Sequence, residues 1–143
     1  MAAVRFMLDT NTASYILRGL SPRGRKRMAN LREGEDVCIS AITEAEIRYG
    51  LAKRAVKAEF RVEVERFLDA IDVLPWSSDA ARVYASLRAD LEKAGRTLSN
   101  LDMLIASHAV ASRCTLVTND RAFQNAAHVL KIVSWADDLP LRT

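Results

Sequence analysis

The chain opens on a short, largely apolar run, Val4-Arg5-Phe6-Met7-Leu8, that stops abruptly at an acid, a hydroxyl and an amide: Asp9, Thr10 and Asn11. Such a run, bounded by polar residues and followed by helical periodicity, reads as a buried parallel strand. A strand of that kind delivers its last polar residue to the carboxyl edge of the sheet, where open α/β folds bind their ligands. The pattern recurs late in the chain, where Thr115-Leu116-Val117 runs into Thr118-Asn119-Asp120. Two acids are thereby expected on one sheet edge.

Between these strands the pattern alternates. Thr10 to about Arg18 carries Ala13, Ile16 and Leu17 at helical spacing, and Ser21-Pro22 opens a second helical stretch. Asp36–Ile39 reads as the second strand, with Ser40 or Thr43 as the cap of a helix over Ala41–Leu51. At 100° per residue, Ile42, Ala45, Glu46 and Tyr49 share one face of that helix, with Glu44 opposite. A charge in the apolar stripe is costly unless it is paired or binds a cation, which singles out Glu46. Lys57–Ala70 and Asp79–Ala94 read as amphipathic helices flanking a strand at Ile71–Leu74, expected to leave the sheet's centre. Ser99-x-x-Asp102 opens a helix that is apolar nearly all round and so should be buried. His108 inside it reads as a hydrogen-bonded core residue. Val129–Val133 reads as a last strand and Trp135–Thr143 as a tail.

Strands alternating with helices imply a parallel sheet with right-handed crossovers. A helix leaving a parallel strand starts at the carboxyl edge, and so does a helix entering the next one. Asp9, Glu46, Asp102 and Asp120 are therefore all expected on one rim. Each alone is weak, because isolated acids mostly cap helices, and Ser99-x-x-Asp102 matches a capping box. Together they would repel unless a divalent cation joined them. Oxygen-only donors suit Mg²⁺ or Mn²⁺. Such an ion activates water and stabilises an in-line phosphoryl displacement.

The 143 residues suit one domain, 1–143, and half of them are hydrophobic, enough for a sizeable core. Cys38 and Cys114 lie in short apolar runs and read as reduced core thiols. Arg5 interrupts the only apolar stretch near the N-terminus, and no run approaches the ~20 apolar residues of a membrane span. A soluble cytoplasmic protein is expected. The net charge of +3 permits nucleic acid as a partner without demanding it. Arg18, Arg23, Arg25, Lys26, Arg27 and Arg32 form a run with no acid among them. It reads equally as a solvated helix face or as a phosphate-contacting surface; the first five are the candidates for binding RNA.

The segments Met7–Asn11, Ile39–Gly50, Asn100–Ala109 and Leu116–Phe123 together resemble PIN-domain ribonucleases, and within them the VapC-type toxins of bacterial toxin–antitoxin pairs. Their order and spacing span nearly the whole chain, and every acid is retained. Ile47 stands where leucine is commoner in the family. The resemblance implies a three-layer α/β/α fold with a central parallel sheet and a Mg²⁺-dependent endoribonuclease acting on structured RNA, often tRNA. It also implies a homodimer and a VapB-type antitoxin that blocks the site. By motif position, Asp9 and Asp102 become the direct metal ligands, Glu46 the holder of the metal-bound water, and Asp120 a fourth member acting through water or a second metal. Thr10, Asn11, Thr118 and Asn119 become partners that orient the acids. The antitoxin is expected as an amphipathic segment near Ala13–Leu17 and Phe60–Leu68, with a basic side chain reaching toward the acids. A metal-dependent DNase or phosphatase on the same acids, and a non-catalytic RNA-binding module, are the alternatives.

Overall fold

The computed structural model describes residues 3–135. Five strands, β1 (Val4–Leu8), β2 (Glu35–Ser40), β3 (Asp72–Leu74), β4 (Thr115–Val117) and β5 (Ile132–Val133), form one parallel sheet in the order β3-β2-β1-β4-β5. Six helices connect them: α1 (Thr10–Leu17), α2 (Pro22–Ala29), α3 (Ala41–Lys53), α4 (Ala58–Ala70), α5 (Ser78–Lys93) and α6 (Asn100–Ala111), with a 3₁₀ turn at Arg121–Ala126.

Alternation along the strands divides the core into two layers. Phe6, Leu8, Val37, Ile39 and Val117 pack against α1 and α4 and the inner face of α3. Met7, Cys38 and Leu116 face the other way, onto α5, α6 and the 3₁₀ turn. The result is the expected α/β/α arrangement. β1 lies at the centre and is apolar on both faces, which is why its run is nearly continuous rather than alternating. β3, expected to leave the sheet's centre, is instead an edge strand, and its Asp72 shares Arg5 with Asp36. The last strand is shorter than expected: Val129 is exposed in a turn and only Ile132–Val133 pairs. The expected tail beyond Trp135 lies outside the described residues. Trp135 itself is buried, edge-on to Phe6.

Cys38 and Cys114 are free thiols with sulfurs 3.8 Å apart. They belong to the segments on either side of β1. Two strand spacings amount to ~9.5 Å, beyond the Cα separation a disulfide tolerates. No described helix is long and apolar enough to cross a membrane.

The strand order positions the site. Chain progress runs from β1 outward through β2 to β3, then jumps back across to β4 and continues to β5. The connections on the two sides lie on opposite faces of the sheet. At the carboxyl ends of β1 and β4 they diverge and leave a crevice, the place where doubly wound sheets bind ligands.

Candidate active site

Asp9 ends β1 at that crevice and is 3% exposed. It caps α1: its Oδ1 accepts from the Thr12 amide at 2.8 Å, the short-range bond that starts the helix. Its Oδ2 accepts from the Thr118 hydroxyl, at the end of neighbouring β4. Burial pushes the Asp9 carboxyl above its usual range; the two partners oppose that shift, and the negative charge of Asp102 adds to it. The acid is thus held in place by groups that cannot neutralise it.

Thr118 joins a second acid to the first. Its Oγ1 accepts from the Asp120 amide at 3.0 Å, while Asp120 Oδ1 accepts from the Ala122 amide and caps the 3₁₀ turn. Asp120 is therefore both an edge acid and a cap. Asp102 has the same double character. It stands in the first turn of α6, where its amide donates to the Ser99 hydroxyl at 3.2 Å, the forward half of a capping box.

Glu46 is reached from the other side. Thr10, the residue after Asp9, donates to Glu46 Oε1 at 2.7 Å and lies 3.2 Å from the Thr43 hydroxyl. Glu46 Oε2 makes no hydrogen bond among the described residues. The expected stripe of α3 is displaced. Thr43 and Leu51 are buried and Ile47 packs on the core, whereas Ala45 and Tyr49 are exposed, Tyr49 at 63%. Glu46 sits at the border of the buried face, not within it. Glu44 points outward and pairs with Arg48. Sequence reasoning passed over Thr43 and Thr12 as contributors. Their signal was a hydroxyl three residues from an acid on the same helical turn.

Among the expected supporting residues, Thr10 and Thr118 touch acids. Asn119 Oδ1 accepts from Ser134, and Asn11 makes no hydrogen bond to an acid among the described residues. The basic run divides as well. Arg25 donates to the Ile16 carbonyl at the end of α1. Arg27 binds Glu35 through both terminal nitrogens, at 2.9 and 2.6 Å, and its guanidinium lies over both the Phe6 and Trp135 rings. Both guanidinium groups, expected to be available for RNA, are engaged in holding α2 to the sheet layer. Arg18, Arg23 and Lys26 are at the surface.

Among the described residues, no three His, Cys, Asp or Glu side chains stand at the spacing that would hold a metal ion. Burial dominates the state of Asp9, with the charge of Asp102 a lesser influence, while Glu46 bonds Thr10 beside Asp9 and the Asp120 amide bonds Thr118, which bonds Asp9. That arrangement suits an ion such as Mg²⁺, which keeps several waters and takes only one or two carboxylates directly. A buried acid raised by burial and by a second acid is also a place where a cation is favourable.

A cleft of about 240 Å³ opens beside this rim between α1, α3 and α4. Thr10 and Glu46 are part of its lining, Leu17, Ile47, Leu51 and Phe60 form an apolar floor, and Arg18 and Arg54 stand at its sides.

Residues 6–129 match the PIN domain family. The chain belongs to that family. Within it, the chain is 34% identical to Ribonuclease VapC2 of Rickettsia felis over 80% of its length and 86% of the relative's. It is 33% identical to the tRNA(fMet)-specific endonuclease VapC of Shigella flexneri, over 93% and 99%. The PIN fold aligns with the crystal structure of VapBC2 from Rickettsia felis bound to a DNA fragment from their promoter at a TM-score of 0.85, with 31% identity, covering 92% of this chain and 99% of that one. FitAcB from Neisseria gonorrhoeae aligns at 0.77 with 29% identity, over 91% and 97%. This PIN domain is thus of the VapC group, and the fold expected from its motifs is the one observed.

Proposed function

We propose that this PIN domain is a VapC-type endoribonuclease toxin, dependent on Mg²⁺ or Mn²⁺ and acting on structured RNA of the tRNA class. The observation that carries the reading is the buried carboxyl of Asp9 at the switch-point crevice, positioned there by Thr12 and Thr118. The VapC relatives, one of them a tRNA(fMet)-specific endonuclease, support the substrate class. Asp9 and Asp102 would hold the metal. When bound, the cation supplies charge neutralisation at the scissile phosphate and lowers the pKa of water. Thr10 occupies Glu46 Oε1, which leaves Oε2 to accept a proton from the attacking water. Asp120 completes the negative rim, its backbone fixed by Thr118. Surface Arg18 and Lys26 supply sequence-independent contacts to phosphates.

The cleft beside Glu46 receives the antitoxin. Its apolar floor fits one face of an amphipathic segment, and the Glu46 end fits a basic side chain from it. A partner seated there would lie against the α1 and α4 surfaces expected from sequence, with α3 as a third wall. The VapBC and FitAcB assemblies among its structural neighbours support a cognate VapB-type partner, and a homodimer is the expected resting state of the toxin.

The test is cleavage of a tRNA pool by pure protein. Cutting with Mg²⁺ or Mn²⁺ is expected, with none in chelator and a loss of at least about 10³-fold in Asp9→Asn. Degradation of DNA or a phosphomonoester with RNA untouched would replace the ribonuclease reading.

A further inference from the structure

Asp9 and His108 are the two buried side chains carrying a carboxyl or imidazole among the described residues, and the nuclease reading uses only the first. His108 lies on α6 six residues beyond Asp102. Its Nδ1 is 2.8 Å from the hydroxyl of Ser40. Ser40 is the last residue of β2 and the cap of α3, fully buried, and its Oγ accepts from the Ile42 amide at 3.0 Å.

The roles of these atoms follow from what each can do. The Ser40 oxygen already receives the Ile42 amide, and its own proton is directed at Nδ1. Burial holds the ring below its ordinary pKa, which agrees with one proton and one lone pair. The bonds run from the α3 amide through Ser40 to the imidazole of α6. They join α6 to the β2–α3 junction just beneath the carboxyl edge.

α3 carries Glu46 and α6 carries Asp102. We propose that His108 is a positioning residue for the nuclease site: by holding Ser40 it fixes the start of α3 against α6 and so sets where Glu46 stands relative to Asp102. This rests on the ribonuclease reading for its kinetic consequence but not for its structural one. The bonds around a metal-binding acid tune affinity and rate by about 10–100-fold when removed, and this brace sits one step further out.

The ¹⁵N spectrum of the wild-type ring at pH 7.5 is expected to show a protonated Nε2 and an unprotonated Nδ1, with the Nδ1 signal moving in Ser40→Ala. A proton on Nδ1 would overturn the assignment. His108→Leu removes the bond to Ser40, whereas His108→Asn keeps a polar group at the Nδ1 position. The expected result is a fall in kcat of about tenfold for Leu with KM within about twofold, and recovery to within about threefold of wild type for Asn. A folded His108→Leu protein with full kcat would overturn the proposal. Should that variant not fold, Ser40→Ala decides: a reduced kcat supports the brace, and a wild-type kcat overturns it. If the wild type cuts no RNA, the ribonuclease reading fails on its own account. The brace is then judged by Mn²⁺ affinity, weaker in His108→Leu or Ser40→Ala if it holds and unchanged if it does not.

Discussion

Asp9 is kept in a costly state. A carboxylate 3% exposed, raised by burial and by Asp102, destabilises the metal-free fold at neutral pH, because the unfolded chain ionises it freely. Asp9→Asn preserves the acceptor for the Thr12 amide and removes the charge. The metal-free variant should therefore melt about 2–5 °C higher than wild type, while losing nuclease activity; a lower melting temperature in scanning calorimetry would count against this account. Asp9 was legible in the sequence because an apolar strand can end in an acid for few reasons. Glu46 was legible as a rim residue for an inexact reason. The apolar stripe on α3 was read through Ile42 and Tyr49, whereas Thr43 is buried and Tyr49 exposed. A small hydroxyl residue packs inward when it has a hydrogen-bond partner there, here Thr10, and hydrophobic periodicity does not register that.

At the level of elements, α2 is the instructive one. Its six-residue neighbourhood of basic side chains looked equally like a solvated face and an RNA surface, and it turns out to be divided. Arg25 closes the end of α1, and Arg27 clamps Glu35 while its guanidinium lies over the Phe6 and Trp135 rings. Composition cannot reveal this, since the partners lie in other elements. Two outcomes follow. Arg27, with the Arg32 amide, holds the Glu35 carboxyl down at about 2. Its stabilising effect is therefore complete above the usual value of 4.5 and is lost as pH falls through about 2. Melting curves should show Glu35→Gln less stable than wild type at pH 7, with the gap closing between pH 4.5 and 2. A gap that is independent of pH would deny the ion pair this role. Gly24 is the close-approach residue of the same helix. A Cβ there would stand 2.7 Å from the Ser21 hydroxyl that caps α2 and 3.1 Å from Ile16 of α1. Gly24→Ala should cost about 1–3 kcal/mol in urea unfolding despite alanine's better helix propensity; a stabilised variant would show that α2 can shift at no cost.

For the whole molecule, the alternation of strands and helices made the layered parallel fold legible, and with it the common edge of the four acids. Strand order was not legible. Nothing local to Ile71–Leu74 distinguishes an edge from an interior strand, and convergence of Asp9 with Asp120 required β1 and β4 to be neighbours, as they are. That adjacency creates the switch point at which Asp9 stands. The most direct measurement is divalent-ion affinity by titration calorimetry, using Mn²⁺ on wild type, Asp9→Asn and Asp102→Asn, with Asp79→Asn on the exposed start of α5 as control. Binding by wild type and the control, weakened at least about tenfold in each of the two site variants, is the predicted result. Equal affinity in all four proteins would contradict a shared ion between residues 9 and 102.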